Sequence, residues 1–158
     1  MAGLDDLYRE IILDHYRSPR NRGELAPPAH RTEGFNPLCG DEIVVYIDVD
    51  VDNGVLRDIK LTGHGCSISQ SSSSLMSAAV KGKTLAQVRE TIATFKQLMT
   101  VHESQLDAEG GSAPSVDADL RRLGELAALA GVVKFPVRIK CATLAWNTLA
   151  QALDETSA

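Results

Sequence analysis

The stretch EIVVYIDVDVDNGVLRDIKLTGH, residues 42–64, decides the fold. Its first half alternates apolar with mostly polar side chains, which is typical of a half-buried strand. The dipeptide Asn53-Gly54 follows and favours a two-residue hairpin turn, because both positions tolerate positive φ. A return strand is predicted over 55–64. A shorter strand over 30–35 joins this hairpin, so we expect a three-stranded antiparallel sheet.

Helices are predicted before and after this sheet. Apolar residues at helical spacing predict about five of them: one before Pro19, one before Gly82, and others that begin near Thr84, Ser115 and Pro136. The polar stretch 103–115 predicts an exposed loop. The fold class is therefore α+β, a small three-stranded antiparallel sheet packed against about five helices, in a single domain over residues 1–158.

A run of four serines, Ser71–Ser74, falls inside the second predicted helix. Serine clusters often mark flexible linkers. Here the surrounding apolar pattern is helical, which favours small residues packed closely against a neighbouring element.

Composition excludes several classes of function. The chain has 158 residues, 44% hydrophobic residues and a net charge of −5, which disfavours nucleic acid and anionic membranes as partners. No apolar run approaches the roughly 20 residues that span a bilayer. The acidic N-terminal segment lacks the basic region of a secretory signal, so we expect a cytoplasmic protein with reduced thiols. Its three cysteines, an odd number, do not resemble a disulfide framework.

Each cysteine lies at the end of a predicted element. Cys39 precedes the first long strand, and Asp41 points to the same side of an extended backbone. Cys66 begins a helix, where the backbone dipole favours a thiolate. Cys141 lies near the start of the last helix, close to the cations Arg138 and Lys140.

Two interpretations of these cysteines stay open at this point. Three thiolates and Asp41 would supply four ligands for zinc or for iron–sulfur chemistry. Alternatively, each cysteine is a small buried apolar residue, because no Cys-x-x-Cys pair is present. His64 stands two residues before Cys66, and we interpret it as a solvated residue at the end of a strand.

Several motifs in order resemble the IscU-like iron–sulfur assembly proteins, most closely their SufU branch. They are LYREIILDHY at 7–16, PRNRG at 19–23, NPLCGD at 36–41, GHGCSIS at 63–69, KGK at 81–83 and KFPVRIKCATLAW at 134–146. The resemblance implies a zinc ion held by Cys39, Asp41, Cys66 and Cys141. Lys140 stands where scaffold-type members have a histidine before the third cysteine.

The resemblance also implies an activity. A SufU-like protein would be a zinc-dependent sulfur transferase that accepts persulfide sulfur from a SufS-type, PLP-dependent cysteine desulfurase onto Cys39. Arg138 would stabilise a sulfur anion or serve as a surface cation, and downstream iron–sulfur assembly proteins would be further partners. Two alternatives remain: a scaffold that holds an iron–sulfur cluster on the same ligands, and a zinc-stabilised interaction domain without chemistry.

Overall fold

A computed structural model describes residues 2–27, 29–37, 40–107, 128–129 and 136–156. The described elements are α1 (Ala2–Arg17), β1 (His30–Asn36), β2 (Asp41–Asp50), β3 (Val55–His64), α2 (Ser67–Val80), α3 (Leu85–Asp107) and α4 (Pro136–Thr156). The α+β fold class is confirmed, with four helices in the described ranges where about five are predicted. The helix predicted from Ser115 falls largely outside these ranges.

The sheet has the order β1-β2-β3, and both strand pairs are antiparallel. Asn36 stands opposite Asp41 in the first pair, and Glu42 opposite His64 in the second. One end of the sheet thus gathers the end of β1, the start of β2 and the end of β3. The shorter strand predicted over 30–35 is confirmed and forms β1.

The hairpin between β2 and β3 forms, but its turn differs from the prediction. The strand ends at Asp50, and residues 51–54 form a four-residue turn in which only Gly54 has positive φ, at 65°. The Gly54 N–H donates to the Asp50 carbonyl at 2.8 Å. The Asp50 carboxylate accepts from the Asn53 amide nitrogen at 2.8 Å, which stabilises a longer turn than the two-residue form.

Helices cover one face of the sheet. The buried face of β2 presents Ile43, Val45 and Ile47. Helix α4 packs against β1 and β2, and helix α2 packs against β3. Phe95 of α3 and Trp146 of α4 are both fully buried, with ring centroids 4.3 Å apart. Such aromatic pairs add to the free energy gained by burial. No described helix is long and apolar enough to cross a membrane.

The serine run lies in the middle of α2 and is buried, as predicted. Its hydroxyls reach neighbouring helices. Ser71 donates to the carbonyl of Ile12 in α1 at 2.8 Å, and Ser72 donates to the carbonyl of Ala142 in α4 at 2.5 Å. Small side chains allow this close approach, and their hydrogen bonds offset the cost of burying polar groups.

Helix α3 continues to Asp107, into the stretch 103–115 where the sequence predicts an exposed loop. Residues 108–115 lie outside the described ranges. A capping box starts α3 near Thr84, where the sequence predicts a helix to begin: Thr84 and Gln87 exchange backbone-to-side-chain hydrogen bonds of 3.0 and 3.1 Å.

Ser72→Ala tests the role of the buried hydroxyls. Ser72 Oγ accepts from Trp146 Nε1 at 3.0 Å, so its removal leaves a buried indole N–H without this acceptor. We expect the free energy of unfolding to fall by about 1–3 kcal/mol in urea titrations. Ser73→Ala is the matched control, because within the described part of the chain Ser73 bonds only to the Gln70 carbonyl of its own helix, so its loss should cost less. Equal effects of the two substitutions would contradict this account.

A carboxylate near the end of α4 links that helix to β1. Glu155 accepts hydrogen bonds from Thr32 Oγ1 at 2.6 Å and from His30 Nε2 at 2.7 Å. These hydrogen bonds lower the pKa of Glu155 from 4.5 to about 2, and the bond from Thr32 has the largest effect.

Glu155→Gln tests this link through its pH dependence. Because the pKa is lowered in the folded state, the ionised carboxylate stabilises the fold above pH 4.5, and this contribution is lost as the pH falls towards about 2. We expect the variant to have a lower free energy of unfolding than the wild type at pH 6. This difference should shrink as the pH falls from 4.5 to about 2. Chemical unfolding at several pH values measures it, with Glu24→Gln as the control. A difference independent of pH would argue against the link.

Candidate metal centre

Three predicted ligands from distant parts of the sequence meet at one end of the sheet. Asp41 is the first residue of β2, Cys66 lies between β3 and α2, and Cys141 is in α4. One ligand atom from each lies within 4.8 Å of the others. The sequence prediction that these residues converge is confirmed for these three, and together they could hold a metal ion.

Two glycines make this convergence sterically feasible. Gly63 has a φ of 124°, and a Cβ there would lie 2.9 Å from the Ile43 Cα and collide with the Glu42 carbonyl. At Gly65 a Cβ would lie 2.6 Å from Asp41 Oδ1. The motif Gly63-His-Gly-Cys66 therefore combines strand pairing with close approach of the carboxylate.

Cys66 caps the N-terminus of α2. Its backbone is extended, with φ −69° and ψ 168°, and its Sγ accepts from the Ser69 N–H at 3.5 Å. Its own N–H donates to Asp41 Oδ1 at 3.0 Å, while Asp41 Oδ2 lies 3.7 Å from the Cys66 sulfur. One carboxylate oxygen of Asp41 thus holds the connection between β3 and α2, and the other faces the Cys66 thiol.

The environment of Asp41 fits a bound cation. The residue is only 2% exposed, and no described Lys, Arg or His forms an ion pair with it. Burying a carboxylate without a counter-charge is costly, and a metal ion would supply that charge. Two sulfur donors beside one carboxylate suit zinc or iron–sulfur chemistry better than calcium or magnesium.

Cys141 is the more buried thiol, at 2% exposure, whereas Cys66 is exposed. The side-chain amide of Asn36, itself 6% exposed, lies 3.9 Å from the Cys141 sulfur. The Asn36 carbonyl also accepts from the Gly40 N–H at 2.8 Å. Sequence reasoning missed Asn36. Its place in the NPLCGD motif, on the strand that precedes Cys39, was the available signal.

A second supporting residue that the sequence did not indicate is Arg22. Its guanidinium donates to the Gly63 carbonyl at 2.6 Å and to Gln70 Oε1 at 3.0 Å. Arg22 therefore joins the end of β3 to the first turn of α2, on either side of Cys66. No sequence pattern marks this contact, since Arg22 lies in a polar loop far from Cys66 in the chain.

Two further predicted site residues cannot be placed. Cys39 and the preceding Leu38 lie outside the described residues, whereas Pro37 and Gly40 lie inside them. Arg138 belongs to α4, but its side chain is not among those that the structure describes. The ligand and acceptor roles of Cys39, and the role of Arg138, stay predictions.

Two described histidines have partners other than the candidate metal ligands. His64 is largely exposed, and its Nε2 lies 3.3 Å from the Glu42 carboxylate, across the strand pair. His15 is buried in α1, and its Nδ1 is 2.7 Å from the Ser74 hydroxyl. Neither residue belongs to the group of Asp41, Cys66 and Cys141 that could hold a metal.

Comparisons with known proteins agree with this geometry. Residues 7–142 match the model of the NifU-like N-terminal domain. The chain is 41% identical to the zinc-dependent sulfurtransferase SufU of Bacillus subtilis strain 168, over 94% of this chain and 90% of that protein. It is 35% identical to the iron–sulfur cluster assembly scaffold protein IscU of Streptococcus pyogenes serotype M1, over 99% of this chain and 89% of that protein.

A solved structure has the same fold. The chain superimposes with a TM-score of 0.74 and 30% identity on a SUF-system protein from Fervidobacterium islandicum AW-1 described as a candidate iron–sulfur cluster assembly scaffold. The match covers 91% of this chain and 94% of that one. With the family model and the relatives above, this likeness leads to one conclusion: the chain belongs to the NifU-like N-terminal domain family, which includes the IscU-like and SufU-like proteins of iron–sulfur cluster assembly.

Proposed function

We propose that this protein is a zinc-dependent sulfur transferase of iron–sulfur cluster biogenesis, which accepts persulfide sulfur from a SufS-type, PLP-dependent cysteine desulfurase onto Cys39. The observation that carries the proposal is the convergence of Asp41, Cys66 and Cys141, whose ligand atoms lie within 4.8 Å of one another. Cys39 stands two residues before Asp41 in the chain, which limits how far its thiol can lie from them. The similarity to a protein named a zinc-dependent sulfurtransferase supports the same assignment.

The proposed ligands are Cys39, Asp41, Cys66 and Cys141. Zinc bound by them would keep the coordinating thiols deprotonated at neutral pH. Three thiolates and one carboxylate around a divalent cation leave a charge of about −2. Lys140, which is exposed, and Arg138 carry positive charge on the same helix and would offset part of it.

The proposed transfer conserves atoms and electrons. The Cys39 thiolate attacks the terminal sulfur of the desulfurase persulfide, a new S–S bond forms on Cys39, and the S–S bond of the desulfurase breaks. The desulfurase cysteine leaves as a thiolate, so no external oxidant or reductant is needed. Arg138, one helical turn before Cys141, is the candidate cation for stabilising the attacking or leaving sulfur anion. A role as a surface cation that contacts the partner is the alternative.

The second candidate function is an iron–sulfur cluster scaffold on the same ligands. The similarity to a protein named an IscU scaffold favours it. Lys140 argues against it, because a protonated lysine cannot replace the histidine that scaffold-type members have at this position. The third hypothesis, a zinc-stabilised interaction domain, uses the same ligands without any transfer.

Partners and compartment follow from the proposed chemistry. The sulfur on Cys39 would pass to downstream iron–sulfur assembly proteins, and a chain with a net charge of −5 is not suited to nucleic acid or to an anionic membrane surface. We place the protein in the cytoplasm, since a persulfide acceptor needs thiols that stay reduced.

Metal content separates the transferase from the scaffold. We expect the aerobically purified protein to contain about one zinc per chain and no iron or sulfide, because two thiolates beside the Asp41 carboxylate provide a zinc-type donor set. Elemental analysis and absorption spectra measure this. Asp41→Ala should lose the zinc, whereas Val51→Ser, in the exposed turn after the opposite end of β2, should keep it. A coloured cluster that can be transferred to apo-proteins would replace the transferase proposal by the scaffold.

The role of Cys39 is tested with a cysteine desulfurase. We expect the wild-type protein to stimulate turnover and to gain the mass of one sulfur atom on the peptide that contains Cys39. Cys39→Ala should return turnover to the desulfurase's basal rate and abolish the mass gain, and Val51→Ser should behave as the wild type. If Cys39→Ser lowers zinc affinity but leaves turnover unchanged, the interaction domain without chemistry is the better account.

A further inference from the structure

We propose that Asn36 is a positioning residue of the metal centre: its side-chain amide donates a hydrogen bond to the Cys141 sulfur and holds this thiolate in place as a metal ligand. The inference rests on metal binding at Asp41, Cys66 and Cys141, and it does not depend on sulfur transfer.

The contact lies in the interior. Asn36 is 6% exposed and Cys141 is 2% exposed, and Asn36 Nδ2 lies 3.9 Å from Cys141 Sγ. Sulfur is a large and weak acceptor when neutral, and a thiolate accepts more strongly. In an environment of low dielectric, a donor directed at a thiolate stabilises its charge more than the same donor would in water.

The backbone of Asn36 fixes the direction of its side chain. As the last residue of β1, it pairs with Asp41, and side chains in β1 alternate between the exposed side and the side that packs on α4. Thr32 and Asn36 are the buried positions of this alternation. The Asn36 carbonyl accepts from the Gly40 N–H, so the residue also ties the end of β1 to the residue that precedes β2.

The two described thiols receive different donors. Cys66 Sγ accepts from a backbone N–H, that of Ser69, which no ordinary substitution removes. Cys141 receives the side-chain amide of Asn36, which a substitution can remove. Hydrogen-bond partners of metal ligands typically change metal affinity by about 10–100-fold when they are lost. We therefore expect Asn36 to contribute to zinc affinity through Cys141.

Zinc affinity, measured by competition with a chelator, tests the inference in two variants. Asn36→Ala removes the donor without adding charge, and Asn36→Asp removes it and places a carboxylate beside the thiolate. We expect both to bind zinc about 10-fold more weakly or worse, with the larger effect for Asn36→Asp. Asn147→Asp is the matched control, because Asn147 is exposed on the same helix as Cys141. An effect confined to Asn36→Asp would reduce the result to added charge and overturn the inference.

A spectroscopic readout separates positioning from general destabilisation. In the Co²⁺-substituted protein, Asn36→Ala should shift the thiolate-to-cobalt charge-transfer band, while Val88→Ala, which removes apolar contacts from the core at α3, should leave the band in place. An unchanged band in Asn36→Ala would contradict the proposed hydrogen bond.

A measurement on the wild type covers the case in which the variants do not fold. In the cadmium-loaded protein, we expect NMR coupling between the Asn36 side-chain amide protons and the metal nucleus, transmitted through the Cys141 sulfur. Coupling of cadmium to the Cys141 Hβ protons without coupling to Asn36 would overturn the inference. No coupling to Cys141 at all would overturn it together with the metal centre. Failure of the desulfurase assay with normal zinc binding would overturn only the proposed sulfur transfer.

Discussion

The hydrogen bond from the Cys66 N–H to the Asp41 carboxylate joins the start of β2 to the start of α2, and the candidate metal centre depends on it. The first N–H groups of a helix have no partner within the helix, and a carboxylate is a strong acceptor for them. Here that acceptor comes from a strand, and its second oxygen remains directed at the Cys66 sulfur. Gly65 is required between them, because any Cβ at this position would collide with the carboxylate. One side chain thus sets both the strand-to-helix connection and the spacing of the donors.

Helix α2 can hold Cys66 in place because it is itself fixed on both sides. Its buried serines bond to a carbonyl of α1 through Ser71 and to a carbonyl of α4 through Ser72. Larger apolar residues would push these helices apart and would carry Cys66 away from Cys141. Arg22 adds a bond from the loop after α1 to the carbonyl of Gly63. The donors are therefore positioned by hydrogen bonds between elements as well as by the apolar core.

The sequence predicts the parts of this structure that depend on local pattern. Alternation over residues 42–64 predicts the hairpin. The placement of each cysteine at the end of an element leaves a shared site and a buried apolar role both open, and the resemblance to IscU-like proteins implies the convergence that is observed for Asp41, Cys66 and Cys141. The prediction of a two-residue turn is wrong, because the Asp50 carboxylate accepts a hydrogen bond from the Asn53 side chain and stabilises a four-residue turn. The contacts of Asn36 and Arg22 could not be predicted, although both residues lie in the motifs that resemble the IscU-like family, since their partners lie far away in the chain and only the packed fold brings them together. A polar residue on a strand or in a loop carries no periodic signal that identifies its partner.

The described donors differ in how accessible they are, and this difference bears on how such a centre can react. Asp41 and Cys141 are each 2% exposed, whereas Cys66 is exposed at the N-terminus of α2. Among the described donors, Cys66 is therefore the one that lies open to the surface. Buried donors held by hydrogen bonds suit a metal that stays in place during a reaction. A cysteine that accepts sulfur would have the opposite requirement, because it would have to detach from the metal to meet a partner. In the proposed function Cys39, which one glycine separates from Asp41 in the chain, would be that acceptor, and the buried ligands would retain the metal.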